Sequence, residues 1–334
     1  MVKRPDILIW HQGALGDLLL AGPALLAVRR RYPRACLIGL GKPKLWRLLS
    51  RTLSLAEVWD SSESRWAQLF AAGPLAPELR ADLAPFQLAV VFSPNPRSPV
   101  PERLRQAGLP VVHWAPSFPE GGCEAVGALQ ARHLAGLGLD LKPGSFRLIL
   151  PENLGQAELA AFSGATAWLA VAPGSGQAGK NWPLSHYYET SRALAWEFKL
   201  GVLWLAGPAE AEAVPYLTGL TAAQGHILLA GAPLARVAAM LSHCRLFLGN
   251  DSGLTHLAAA VGGPRVVALF GPTDPAVWAP PGEQVRILTG PCPKAPCARG
   301  REIPCPEPRC LKDLSPERVL TEARAILSAG LVDG

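Results

Sequence analysis

An apolar run, Leu246-Phe247-Leu248-Gly249, delivers Asn250-Asp251-Ser252-Gly253-Leu254-Thr255-His256 to the start of an Ala-rich helical stretch. A small polar loop between a buried strand and a helix is where open α/β sheets hold their ligands. The backbone N–H groups at such a helix start suit a phosphate. Gly253 lets a backbone approach closely, and Asp251, Ser252, Thr255 and His256 add donors and acceptors. An ordinary helix capped by Asp251 or Ser252 reads the same residues without a ligand.

A second glycine loop, Pro173-Gly174-Ser175-Gly176-Gln177-Ala178-Gly179-Lys180, follows the strand-like Trp168 to Ala172. It is not a Walker A loop, because no Gly-Lys-Ser/Thr opens a helix. Its N–H groups, Ser175 and Lys180 suit a diphosphate; a flexible loop with a solvated lysine is the plainer alternative. A third turn, His11-Gln12-Gly13-Ala14-Leu15-Gly16-Asp17, follows the strand-like Ile7 to Trp10. Its G-x-x-G spacing is not the dinucleotide fingerprint. Asp17 there either takes a proton at the sheet edge or merely satisfies the first turn of a helix.

These loops need strands and helices to hold them. The first half alternates strand and helix: strands at Ile7–Trp10, Cys36–Leu40, Leu55–Asp60, Leu88–Phe92 and Leu109–Trp114, and helical periodicity at Leu18–Arg31, Leu45–Leu49, Arg65–Ala72 and Glu124–Leu137. Arg29-Arg30-Arg31 suits a helix C-terminus. Pro and Gly crowd residues 140–165, after which the alternation restarts. The pattern predicts an α/β chain of two Rossmann-like domains, 1–155 and 156–314, and a final helix in 315–334 begun by Ser315-Pro316.

The 334 residues are 49% hydrophobic with a net charge of +6, enough apolar content for two cores. No apolar run approaches the ~20 residues that span a bilayer, and the short apolar start runs directly into a glycine turn, unlike a signal peptide. These features predict a cytoplasmic protein. The positive balance fits an anionic substrate or an acidic membrane surface. A nucleic-acid module is disfavoured because no basic stripe carries interleaved aromatics. A nucleotide-dependent oxidoreductase is disfavoured because G-x-G-x-x-G with a later acid is absent.

Taken in order, Gly16-Asp17 followed by Pro23, Asn95-x-Arg97-Ser98, Pro173-Gly174-Ser175, Lys180-x-Trp182-Pro183, Asp251-Ser252-Gly253-Leu254-x-His256 and Leu269-Phe270-Gly271-Pro272-Thr273-Asp274-Pro275 make the chain resemble glycosyltransferase family 9, the ADP-heptose:lipopolysaccharide heptosyltransferases. The resemblance implies a GT-B fold, two Rossmann-like domains facing a cleft, with the last helix packed back on the first domain. It implies inverting, metal-independent transfer of a heptose from ADP-heptose to a lipopolysaccharide-core or other cell-envelope saccharide. The acceptor would be lipid-linked at the inner membrane surface, and the enzyme cytoplasmic or peripheral to that membrane. A GT-B enzyme using another nucleotide sugar is the alternative. By position, Asp17 falls on the catalytic base, with orientation of the acceptor as its other reading, and Lys180 on the leaving-group cation. Gly174, Ser175, Lys180, Glu210, Asp251, Ser252, Gly253, Leu254 and His256 fall on the donor site. Gly16, Arg97 and Arg103 are the acceptor candidates. No catalytic cofactor is implied.

Cys292, Cys297, Cys305 and Cys310 stand in C-x4-C-x7-C-x4-C spacing. Structural zinc, disulfides and free thiols are three open readings, because sequence does not fix cysteine partners.

Overall fold

The structure, a computed structural model, describes residues 6–121, 124–139, 146–151, 165, 167–298, 302–305 and 309–329. The chain divides into two compact units, Met1–Ile149 and Leu150–Gly334. The boundary expected after residue 155 lies outside the described residues.

The first unit runs β1 (Asp6–His11), α1 (Leu15–Leu20), α2 (Gly22–Arg31), β2 (Cys36–Gly41), α3 (Pro43–Leu53), β3 (Leu55–Asp60), α4 (Pro77–Leu83), β4 (Phe86–Ser93), α5 (Val100–Gln106), β5 (Val111–Pro116) and α6 (Val126–Leu134). Its strands form a parallel sheet in the order β3-β2-β1-β4-β5. Ile7, Leu8 and Ile9 of β1 are buried on both faces, as a central parallel strand covered by helices must be. The single helix expected over Leu18–Arg31 is two, α1 and α2, parted at Ala21. Pro23 has no N–H to continue a helix but suits a first turn. The helix expected from Arg65 is a 3-10 turn, Ser64–Leu69.

The second unit runs β6 (Ala167–Ala172), α7 (Leu184–Phe198), β7 (Leu200–Ala206), α8 (Val214–Gln224), β8 (Ile227–Ala230), α9 (Leu234–Ser242), β9 (Leu246–Asn250), α10 (Gly253–Val261), β10 (Arg265–Phe270), α11 (Pro275–Trp278), β11 (Val285–Thr289), α12 (Arg309–Lys312) and α13 (Pro316–Ala329). The sheet is parallel with order β11-β10-β9-β6-β7-β8. β11 falls outside the alternation read from sequence. It is an edge strand in which Leu288 alone is buried, so it lacks the continuous apolar run of an interior parallel strand.

The last helix, α13, belongs to the second unit's core. Val319, Leu320, Ala323 and Leu327 are buried in one cluster with Leu169, Val171, Leu194 and Val202. Arg245 donates to the Leu327 carbonyl at 2.6 Å, Trp182 Nε1 to the Leu314 carbonyl at 2.8 Å, and Arg324 pairs with Glu197 of α7 at 2.8 Å. Within its own unit, the apolar stripe of this helix is taken up by the sheet and α7. Leu327→Ala should cost about 2–5 kcal/mol, the range for a leucine removed from a packed core. Denaturant unfolding measures it, and an unshifted midpoint would take α13 out of the core.

Candidate functional site

In the second sheet the chain leaves β6 toward β7 and β8, and leaves the neighbouring β9 toward β10 and β11. Loops diverge at such a switch point and leave room for a ligand at the carboxyl ends of the strands. Pro173-Gly174-Ser175 follows β6 and Asp251-Ser252-Gly253 follows β9, so both glycine motifs border it. Asn250, fully buried, binds them together. Its side-chain oxygen accepts the Trp182 N–H at 2.9 Å, its amide donates to the Pro173 carbonyl at 2.7 Å, and its own carbonyl accepts the Thr255 hydroxyl.

Lys180 Nζ donates to Asp251 Oδ2 at 2.8 Å, and the Thr273 hydroxyl donates to the same oxygen at 2.7 Å. The Lys180 side chain is 21% exposed and that of Asp251 8%. The solvated-lysine reading of this loop is thus overturned: the ammonium is fixed by a nearly buried carboxylate. The Ser175 hydroxyl lies 2.7 Å from both the Gln177 carbonyl and the Asn181 side-chain oxygen, giving its one hydrogen to one of them at a time. Ser252 precedes α10 in extended backbone and makes no side-chain cap, which leaves the helix start without the side-chain acceptor expected of a plain capped helix. Leu254 is half-buried at that start and His256 is buried one turn further.

Glu210 also reaches this loop. Its Oε2 accepts the Gly207 N–H at 2.6 Å within the 3-10 turn Pro208–Ala213. A Cβ on Gly174 would stand 1.5 Å from Glu210 Oε1. Position 174 therefore takes only glycine while Glu210 keeps its place.

The first sheet has its own switch point between β1 and β4. Asp17, 9% exposed, accepts the Ala14 N–H on Oδ2 at 2.9 Å, so one of its oxygens serves the start of α1. Gly13 donates to His11 Nδ1 at 3.2 Å, and a Cβ there would lie 2.7 Å from both His11 Cε1 and Asp17 Cβ. Buried His11 therefore flanks the Asp17 turn and packs on Phe92, with ring centroids 5.5 Å apart. Gly16 is the second residue of α1. Arg97 is exposed in the turn after β4, where its N–H donates to Asn95 Oδ1 at 2.9 Å. Arg103, the other acceptor candidate, is hydrogen-bonded within its own unit. Its Nε and Nη2 donate to the Gln68 carbonyl at 3.3 and 3.2 Å and its Nη1 to Gln106 at 2.9 Å, so its guanidinium joins α5 to the preceding 3-10 turn.

The sequence reading left out Asn250, Thr273 and His11 as site residues. Each stands at or just past the carboxyl end of a strand, the one signal that could have selected them.

Cys297 N–H donates to the Pro272 carbonyl at 2.8 Å, and Cys310 Sγ lies against Gly271, where a Cβ would be 3.0 Å away. Burial pushes the Cys297 thiol up, with Cys305 and Cys292 adding to the shift, and burial pushes Cys310 up to about 11. The thiols thus share a neighbourhood beyond β10. Among the described residues, however, no three His, Cys, Asp or Glu side chains form a group able to hold a metal. The expected zinc site thus has no such group behind it among the described residues, and no disulfide joins Cys36, Cys244, Cys292, Cys297, Cys305 or Cys310. Among the described residues, no helix is long and apolar enough to cross a membrane.

The sequence profile of glycosyltransferase family 9 (heptosyltransferase) matches residues 125–307, more than half of the chain. The chain is 31% identical over 157 residues to lipopolysaccharide heptosyltransferase 2 of Salmonella typhimurium, covering 45% of this chain and 43% of that protein. It spans about half the length of the curated relatives it matches. A glycosyl transferase family 9 structure from Veillonella parvula superposes with a TM-score of 0.78 at 18% identity, over 98% of this chain and 99% of that one. E. coli ADP-heptose lps heptosyltransferase II superposes with a TM-score of 0.73 at 22% identity, over 97% and 99%. The fold is that of the GT-B enzymes, with two Rossmann-like domains. By its matched profile, this chain belongs to glycosyltransferase family 9.

Proposed function

We propose that this chain transfers a heptose from ADP-heptose to a lipopolysaccharide-core or related cell-envelope saccharide, carried on a lipid at the inner face of the cytoplasmic membrane. The carrying observation is the fixed cation: Lys180 held by Asp251 and Thr273 beside the start of α10, at the sheet's switch point. Two of the relatives support the donor, since the similar E. coli and Salmonella proteins are named as heptosyltransferases, the former for ADP-heptose. A related enzyme with another nucleotide sugar would use the same arrangement.

In this reading the bond from the anomeric carbon to the diphosphate oxygen breaks and negative charge gathers on the departing ADP. Lys180, the N–H groups of the Gly174-Ser175 loop and the start of α10 offset that charge without rearranging. Asp251 positions Lys180 rather than touching the donor, because a second anion against the diphosphate would repel it. Ser252, Gly253, Leu254 and His256 line the phosphate and sugar end, and Glu210 accepts from the ribose hydroxyls. Asp17 takes the proton of the acceptor hydroxyl, with Gly16 and Arg97 at the acceptor's side. The cation at the diphosphate is Lys180.

Lys180→Ala should weaken ADP binding by ~1.5–3 kcal/mol, the range for a hydrogen bond to a charged group, and AMP binding by less. Titration calorimetry with both nucleotides reads the difference; an equal loss, or none, would move the leaving group away from Lys180.

Asp17→Asn keeps an oxygen for the Ala14 N–H but removes the base. It should lower kcat by ~10²–10⁴ while ADP affinity holds. A single displacement assisted by Asp17 also inverts the anomeric carbon, which proton NMR of the product reads. Near-normal turnover, or a retained anomer, would remove Asp17 from that role.

The late cysteines carry no step of this chemistry; we infer that they serve packing beyond β10. Burial holds Cys244 up to about 12 and Cys310 up to about 11. The thiolate is the reactive form, so at pH 8 an alkylating reagent should label these two last, and unfolding should erase the lag. Peptide mapping in which Cys310 reacts as fast as Cys305 would contradict its burial.

A further inference from the structure

The first unit carries a concentration of charge that the transfer reaction leaves unused. Residues 18–56 contain eight Lys and Arg and no Asp or Glu. The rest of the chain holds 24 basic residues against 26 acidic ones, so the whole positive excess of the protein resides in this stretch. It comprises α2, β2, α3 and their joints. Because β1, β2 and β3 are successive neighbours and parallel crossovers are right-handed, α2 and α3 lie on the same face of the sheet.

Arg29 is a structural member of the group. Its Nε donates to the Leu53 carbonyl at 2.7 Å and its Nη2 to the Ser54 carbonyl at 3.1 Å, while Nη1 serves the Tyr32, Pro33 and Ala35 carbonyls. It thus fastens the C-terminal ends of α2 and α3 side by side. The other seven, Arg30, Arg31, Arg34, Lys42, Lys44, Arg47 and Arg51, are all exposed. Among the described residues none of them is ion-paired with a carboxylate.

Helix electrostatics explain only part of this. Arg30 and Arg31 sit in the last turn of α2, where cations are stabilised. Lys42 and Lys44 sit at the start of α3, where the helix dipole opposes them. Lys44, Arg47 and Arg51 follow at i, i+3 and i+7, one stripe along the exposed side of α3. The stripe starts at the carboxyl end of β2, the same sheet edge as the Gly13–Asp17 turn after β1. Residues 22–56 contain no Asn, Gln or His to read base edges. The two aromatics there offer no stacking platform: Trp46 is buried and Tyr32 is covered by the Arg31 guanidinium, 5.2 Å from its ring centroid.

We propose that the α2–α3 face is a docking surface for an anionic phospholipid bilayer. A row of unpaired, long-stemmed cations on adjacent helices suits a layer of phosphate headgroups, which needs charge and reach rather than a shaped pocket. Docked this way, the protein would bring the sheet edge bearing Asp17 to the lipid surface. The inference shares with the proposed function only the membrane-borne acceptor. Vesicle binding requires neither donor nor acceptor, so either can fail while the other stands.

The test is co-sedimentation of the full chain with phosphatidylcholine vesicles and with vesicles in which about a third of the lipid is phosphatidylglycerol, at low and high salt. Wild type should sediment with the anionic vesicles alone and release as salt rises. The variant Lys44→Glu/Arg47→Glu/Arg51→Glu should bind at least ~100-fold more weakly, since each surface cation contributes roughly fivefold. A second variant, Arg30→Glu/Arg31→Glu/Arg34→Glu, reverses the other end of the face and should act in the same direction; thermal unfolding shows that each is folded. Equal binding to neutral vesicles, or full binding by both folded variants, would overturn the proposal. So would a short DNA duplex that binds the wild type and is not displaced by the anionic vesicles.

Discussion

Asp251 is the residue on which the second unit's loops turn. A carboxylate 8% exposed is costly to strip of water unless paired and hydrogen-bonded. Its Oδ2 meets both needs at once with Lys180 and Thr273. Those partners come from the loop after β6 and the loop after β10, so satisfying one oxygen fixes two segments about the strand end that bears it. Asn250, the preceding residue, repeats the device with neutral groups, holding Trp182 and Pro173. Lys180 cannot leave this arrangement without stranding a nearly buried charge. Its ammonium is consequently in place before any ligand arrives, which is what a preorganised electrostatic site requires.

The two units solve the same topological problem with opposite chemistry. Each sheet reverses its direction of growth between two adjacent parallel strands, β1 and β4 in one and β6 and β9 in the other. Each reversal opens a space lined by loops. In the first unit, Gly13 lets a carboxylate and an imidazole crowd the start of α1. In the second, Gly174 lets a carboxylate lie directly on the loop backbone while a cation stands at the facing motif. In neither place can an L side chain replace the glycine without moving a polar group.

Much of this was legible in the sequence, for a physical reason. Interior parallel strands are unbroken apolar runs, and the polar residues just beyond them must lie at the sheet edge where ligands bind. That logic found the loops at Gly13–Asp17, Gly174–Lys180 and Asp251–His256. It did not rank residues inside a loop. Asn250 and Thr273 stand in the quoted motifs without a role of their own, and only their hydrogen bonds reveal what they hold. Nor does the local pattern announce that the Arg103 guanidinium is held by a carbonyl 35 residues away in sequence. β11 was invisible because an edge strand needs few buried residues. The last helix was legible as a helix, but amphipathicity states that a face is buried and not against what.

The charges around the second loop also constrain how a nucleotide could lie there. Two carboxylates, Glu210 and Asp251, border a loop with one ammonium, which at first sight disfavours an anion. Asp251 is spent on Lys180 and Thr273, whereas among the described residues Glu210 accepts one N–H, that of Gly207, on one oxygen. Its other oxygen overlies Gly174. The side of the loop near Glu210 therefore favours hydroxyl or amine donors, and the side near Lys180 and the start of α10 favours phosphate. In the proposed reading, a nucleoside diphosphate sugar has one orientation that satisfies both. The ribose lies toward Glu210 and the diphosphate toward α10, which directs the anomeric carbon outward beyond the strand ends. The reversed orientation would set the diphosphate against an unneutralised carboxylate, and that repulsion selects the orientation before any contact to the sugar is made.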